Sequence, residues 1–190
     1  MRLFVAAYPP IEVLDDLEST VRGLSVAKAT ADGTNTRLIS RPLWHITLAF
    51  IGEVNESRVV DATRALDRAA DHLSGVQPRL AFSGGGRFGR GRFTILWAGL
   101  TGDIPALSTV SRTVHAELRH GRLPYDPKPF QPHLTLARPG DRIPRSLIDE
   151  DIATLATYTG PTWTCTDLTL VSSHLGPHPQ HAPIHVAPLT

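Results

Sequence analysis

The chain has 190 residues, of which 41% are hydrophobic and 19% charged, and carries a net charge of +1. These figures belong to a folded chain of single-domain size that can bury a sizeable core. The balance excludes indiscriminate binding along a nucleic-acid backbone, which needs a broad cationic surface, but not a grip on one terminal phosphate.

No run approaches the roughly 18 apolar residues of a membrane span. No cationic stretch with a hydrophobic segment behind it opens the chain. The lone cysteine, Cys165, has no partner for an internal disulfide and reads as a small buried strand residue. A cytoplasmic protein without membrane contact is expected.

In chain order, Leu3 to Ala7 reads as a strand ended by Pro9-Pro10, which open a helix where proline's fixed φ is tolerated. Ile11, Leu14, Leu17 and Val21 make its apolar stripe, and Gly23 stops it. Lys28 to Asn35 is small and polar and reads as a loop, and Arg37 to Ile39 as a short strand. His45 to Ile51 is the next strand. Asn55 then caps a helix with Val59, Ala62, Leu66 and Ala69 on one face.

A strand near Arg79 to Phe82 leads into a glycine-rich loop from Gly84 to Arg92, and Thr94 to Gly99 is the following strand. Asp103 caps a helix striped by Leu107, Val110, Val114 and Leu118. A proline-rich loop, Pro124 to Pro132, delivers a strand at His133. A weaker helix spans Arg145 to Tyr158, and strands lie near Thr164 to Ser172 and Ile184 to Ala187. Each half thus reads as a motif strand, a helix and further strands: an α+β chain with approximate duplication.

The duplication is sharpest in two tetrapeptides. His45-Ile46-Thr47-Leu48 returns as His133-Leu134-Thr135-Leu136, 133 − 45 = 88 residues later. Strand side chains alternate between faces, so each His and Thr share one face while the apolar residues point to a core. Two such strands facing each other would hold two imidazoles and two hydroxyls over one substrate. An imidazole titrates near neutrality, so one ring can accept a proton while the other donates one. Threonine hydroxyls can donate to non-bridging phosphate oxygens. The arrangement suits metal-free acid–base chemistry on a phosphate. The near-symmetry leaves open which ring is acid and which is base.

The stretches around both tetrapeptides, Arg41 to Val54 and Pro129 to Pro139, resemble the paired His-x-Thr motifs of the 2H phosphoesterases. Within that superfamily the chain is similar to the bacterial RNA 2′,3′-cyclic phosphodiesterases, also called 2′-5′ RNA ligases. The similarity extends to Arg2 to Ala6, Ile95 to Gly99, and Leu168 to Ser173 with Leu175-Gly176-Pro177. It implies two pseudo-symmetric lobes, each a β-sheet with outer helices, around a central cleft. The whole chain, 1–190, would form one bilobal domain with one motif per lobe.

The resemblance also implies hydrolysis of 2′,3′-cyclic phosphate RNA ends to 2′-phosphates, with 2′-5′ ligation as the reverse reaction. His45 would be the proton donor and His133 the proton acceptor, with Thr47 and Thr135 beside them and no metal or cofactor. The expected partner is an RNA 3′ end bearing a 2′,3′-cyclic phosphate, met by a monomer. The alternatives are a phosphodiesterase of small cyclic nucleotides or nucleotide-sugar cyclic phosphates, and a non-catalytic RNA-end binding module.

Further substrate contacts are expected from Arg41, just before the first motif, and from Phe130 and Arg138 around the second. Arg138 stands at i+5 from His133, on the opposite strand face unless the chain turns at Pro139. Arg90 and Arg92 on the glycine-rich loop could clamp phosphate, with Phe88 and Phe93 interleaved for bases to stack on. Gly84-Gly85-Gly86 is no phosphate loop, since no Gly-Lys-Ser/Thr follows. His174 is a further expected substrate contact; it follows Ser172-Ser173, where relatives tend to carry an arginine and a nearby tyrosine, neither of which is present. The histidines His174, His178, His181 and His185 have helical spacing, but Pro177, Pro179 and Pro183 exclude a helix, and they read as surface loop residues.

Overall fold

Every residue except Leu175, Pro177 and His178 is described by the computed structural model. The apolar run at the N-terminus forms β1 (Arg2–Ala7), from Leu3 onward buried on both faces, as befits a strand with neighbours on either side. It pairs antiparallel with β2 (Ile46–Glu53) on one edge and β7 (Asp167–His174) on the other. β8 (Gln180–Pro188) closes a four-stranded sheet in the order β2-β1-β7-β8.

A second four-stranded sheet, β5-β4-β3-β6, is formed by β3 (Arg79–Phe88), β4 (Ile95–Gly102), β5 (His133–Ala137) and β6 (Trp163–Thr164). The α+β class with two sheets therefore holds, but the lobes are not the two halves of the sequence. The first sheet takes strands from both chain ends, because the second edge of β1 would otherwise leave its backbone groups unpaired.

The helices follow the apolar stripes. α3 (Val59–His72) packs against α4 (Ile104–His120) and rests on β7 and β8, while α4 reaches β2. Leu107, Val110, Val114 and Leu118 of α4 are buried as their spacing requires. α5 (Arg145–Ala156) covers β3 and β4. In α1 (Ile11–Val21) the buried stripe is Val13, Leu17 and Val21, and Ile11 is left exposed. No helix of the described residues is long and apolar enough to cross a membrane.

Several local expectations are corrected. Ser25–Ala31 is a helix, α2, where a loop was expected from residue 28. Its first two N–H groups donate to the Asp151 carboxylate of α5, at 2.6 Å from Ser25 and 3.1 Å from Val26, a cap supplied from 125 residues away. Asn55 and Asp103 precede their helices without capping them through the side chain. Asp103 instead accepts from the Arg79 N–H at 2.9 Å.

Residues 37–39 make only an isolated bridge, Leu38 to Ala137. The three glycines 84–86 lie inside β3, not in a loop. A Cβ on Gly85 would come 2.5 Å from Leu155 Cδ1, and one on Gly86 2.5 Å from Trp97 Cζ2. Glycine is required by close packing there. Cys165 is buried as expected, but between β6 and β7, and burial pushes its thiol up to about 12.

Candidate active site

Strands β2 and β5 approach each other at the edges of the two sheets and bring both tetrapeptides to one cleft of about 1380 Å³. His45, Thr47, His133 and Thr135 all line it, while Ile46, Leu48, Leu134 and Leu136 are buried behind them. The alternation read from the sequence is the cause.

The two imidazoles are anchored in the same way. His45 Nδ1 lies 2.7 Å from the Leu43 carbonyl oxygen, and His133 Nδ1 lies 2.7 Å from that of Gln131. A carbonyl only accepts, so in each neutral ring the proton sits on Nδ1 and Nε2 carries the lone pair. The Thr47 hydroxyl stands 3.0 Å from His45 Nε2 and can donate to it. His133 packs edge-on against Phe88, with ring centroids 4.9 Å apart.

Burial favours the neutral form of both rings. It lowers His45 to about 4, opposed by the Leu43 carbonyl and helped by His181 and His133. His133 is lowered by burial too, with the Arg138 charge acting in the same direction.

Each motif strand carries a bulge just past its threonine. In β2, Leu48 is skipped as Val5 pairs with Ala49 and Ala6 with Thr47. In β5, Leu136 is skipped as Leu96 pairs with Ala137 and Trp97 with Thr135. A bulge shifts the alternation by one residue. That shift turns Phe50 and Arg138 onto the cleft, so Arg138 reaches it through the bulge, without needing a turn at Pro139.

Arg138 meets two further guanidinium groups. Arg2 lines the cleft with its Cζ 5.2 Å from the Phe50 ring centroid. Arg37 also lines it and has φ +50°, a left-handed backbone rare for a side chain of this size. Its N–H donates to Asn35 Oδ1 at 3.1 Å, and its carbonyl accepts from the Arg138 N–H at 3.2 Å. Burial lowers the Arg138 pKa, and the charges of Arg37 and Arg2 add to that. Three cations crowd one side of the cleft, an environment that favours an anion.

Phe130 lines the cleft as expected. Four other expected contacts do not. Arg41 turns away to α1, 2.5 Å from Asp15 and 3.6 Å from Glu18, and donates to the Ile11 carbonyl. Arg90 and Arg92 are exposed around a short 3-10 turn (Gly91–Phe93) beyond β3, outside the cleft lining, with Arg92 over Phe93. His174 is exposed at the end of β7; its neighbour Ser173 faces the cleft, so alternation points His174 away.

Of the C-terminal histidines, His178 lies outside the described residues, and His185 faces α3, 2.5 Å from Asp67. His181 is the surprise. It lines the cleft, with its ring 5.1 Å from that of His45 and 5.0 Å from Phe4. Arg2 had a sequence signal, because it shares a strand face with Phe4. His181 had none, since its side depends on hairpin register. Among the described residues, no three His, Cys, Asp or Glu side chains are grouped to hold a metal.

The chain is similar in sequence and fold to known proteins. An RNA 2′,3′-cyclic phosphodiesterase of Archaeoglobus fulgidus is 30% identical over 142 residues, 73% of this chain and 72% of that protein. One from Geobacillus stearothermophilus is 34% identical over 96 residues, half of this chain, which spans only 30% of that relative's length. A protein of Thermus thermophilus shares the fold with a TM-score of 0.75 at 24% identity, covering 100% of this chain and 98% of that one. Escherichia coli LigT, crystallised with 3′-AMP, gives 0.72 at 21% identity, with 100% and 98% covered. Residues 12–177 match the model of one family, and together with the paired motifs this assigns the chain to the 2'-5' RNA ligase superfamily.

Proposed function

We propose that this chain hydrolyses RNA 2′,3′-cyclic phosphate ends to 2′-phosphate ends, with His45 and His133 as acid and base. The observation that carries the reading is the doubled anchoring: two imidazoles pinned at Nδ1 by carbonyls at 2.7 Å, in one cleft with two threonines and three arginines. The names of the two curated relatives point the same way.

His133 Nε2 takes a proton from water as the water oxygen attacks phosphorus. The bond to the ribose 3′-oxygen breaks, and His45 Nε2–H supplies the proton that this oxygen needs. The polarity follows the family resemblance. Thr47, Thr135 and Arg138 hold the non-bridging oxygens. His45 must be charged to act as the acid. Binding an anionic phosphate beside it favours the imidazolium, whose Nδ1–H keeps its bond to Leu43.

The cleft exceeds the roughly 300–1,000 Å³ of small-ligand pockets. Its size supports an oligonucleotide end over a lone cyclic nucleotide, with Phe130, Phe88 and Phe50 available to bases and sugars. One chain supplies both motifs, which supports residues 1–190 working as a single unit and as a monomer. The lone buried thiol supports a cytoplasmic setting.

The test is product identity from a defined oligonucleotide ending in a 2′,3′-cyclic phosphate. A 2′-phosphate is expected. A 3′-phosphate would reverse the roles of the two histidines, and no turnover with tight binding would leave a binding module.

A further inference from the structure

His181 reaches the cleft from β8, opposite Ser173 of β7 in the antiparallel register. Phe4 of β1 packs across its ring at 67° and His45 at 76°. These contacts fix the plane of the imidazole. Its Nδ1 is buried and has no hydrogen-bond partner among the described residues.

A buried N–H without an acceptor is rarer and more costly than an idle lone pair, so the proton of the neutral ring belongs on Nε2. This is the reverse of His45 and His133, whose Nδ1 atoms face carbonyls. The cleft thus holds two rings that present a lone pair at Nε2 and one that presents an N–H. A second proton on His181 is opposed by burial. Polar or titratable groups that line the same cleft include Arg2 on β1, Thr47 on β2, Ser173 on β7 and His133 across from it, with Tyr8 beside His45.

We propose that His181 is a third substrate contact on the His45 side of the cleft, a neutral imidazole whose Nε2–H donates to an anionic phosphate oxygen. The proposal rests on the reading of the cleft as a phosphate site. It gives the first lobe an uncharged donor where a further cation would oppose protonation of His45.

Nitrogen-15 NMR of the histidine rings at neutral pH tests it, with inorganic phosphate as the probe. His181 should show the Nε2–H tautomer while His45 and His133 show Nδ1–H, and phosphate should shift the His181 Nε2 resonance. His181→Phe, which keeps a ring against Phe4, should bind phosphate roughly tenfold more weakly, the worth of one hydrogen bond to a charged acceptor. His181→Gln, which restores a donor, should recover part of that loss.

An Nδ1–H tautomer at His181 would overturn the proposal, as would a folded His181→Phe protein that binds phosphate as tightly as wild type. If the wild type bound no phosphate, the phosphate reading of the cleft would fall and this proposal with it.

Discussion

Phe50 and Arg138 face the cleft from equivalent positions, each five residues beyond its motif histidine and each turned inward by a bulge at the preceding leucine. Only one of them is charged. The symmetry that places the two histidines is therefore broken one step further along the cleft, where a cation confronts an aromatic ring.

Arg138→Ala should therefore weaken substrate binding more than it slows chemistry. Loss of a hydrogen bond to a charged group is worth about 1.5–3 kcal/mol, or roughly 10- to 100-fold in KM. Arg41→Ala and Arg92→Ala, which alter side chains outside the cleft lining, should leave KM near wild type. Steady-state kinetics on one oligonucleotide decides it, and equal effects at all three positions would count against the cationic site.

Removing either motif histidine should cut kcat by roughly 10²–10⁴-fold, the contribution of one proton-transfer partner. Product affinity should fall much less in His45→Ala and His133→Ala, because threonines and Arg138 still hold the phosphate. The double variant should lose less than the product of the single losses. Thr47→Ala and Thr135→Ala should be milder than either. A histidine variant with normal kcat and abolished RNA binding would reassign the motifs to recognition.

The pH–rate profile should be bell-shaped, its limbs belonging to the coupled pair of imidazoles. Burial lowers both rings in the free protein, so the bell of kcat/KM should lie on the acid side of 6.5. Bound phosphate favours the charged form of the acid, so the alkaline limb of kcat should lie at higher pH than that of kcat/KM. Turnover should survive EDTA, since protein groups supply acid, base and donors. A rate climbing steadily into strong alkali would contradict this.

Stability should also report the buried His45. Its folded value of about 4 lies below the ordinary 6.5, so between those values the unfolded chain binds the extra proton. The contribution is fully present above pH 6.5 and is lost as pH falls through 4, by at most about 3 kcal/mol. His45→Gln should flatten the slope of unfolding free energy between pH 7 and 4.5 in urea titrations. Identical slopes in variant and wild type would refute the buried neutral ring.

Gly86→Ala should destabilise the fold by about 1–3 kcal/mol, the typical penalty of overpacking, because the new methyl would press on the Trp97 ring. The midpoint of urea unfolding measures it. An unchanged midpoint would mean that Trp97 yields freely.

The paired His-x-Thr strands, their inward faces and the apolar stripes of α3 and α4 were legible in the sequence. They depend on the two- and 3.6-residue periods, which each segment carries within itself. What lay beyond reach depends on partners distant along the chain. The helix at Ser25 exists with a cap from Asp151, Gly85 and Gly86 lie in a strand pressed against Leu155 and Trp97, and Arg41 is drawn off by Asp15 and Glu18. The bulge in β5 gave Arg138 to the cleft, and the register of β8 on β7 gave it His181. A strand's sequence determines which residues share a face, but only pairing with its neighbour decides where that alternation slips and which face meets the substrate.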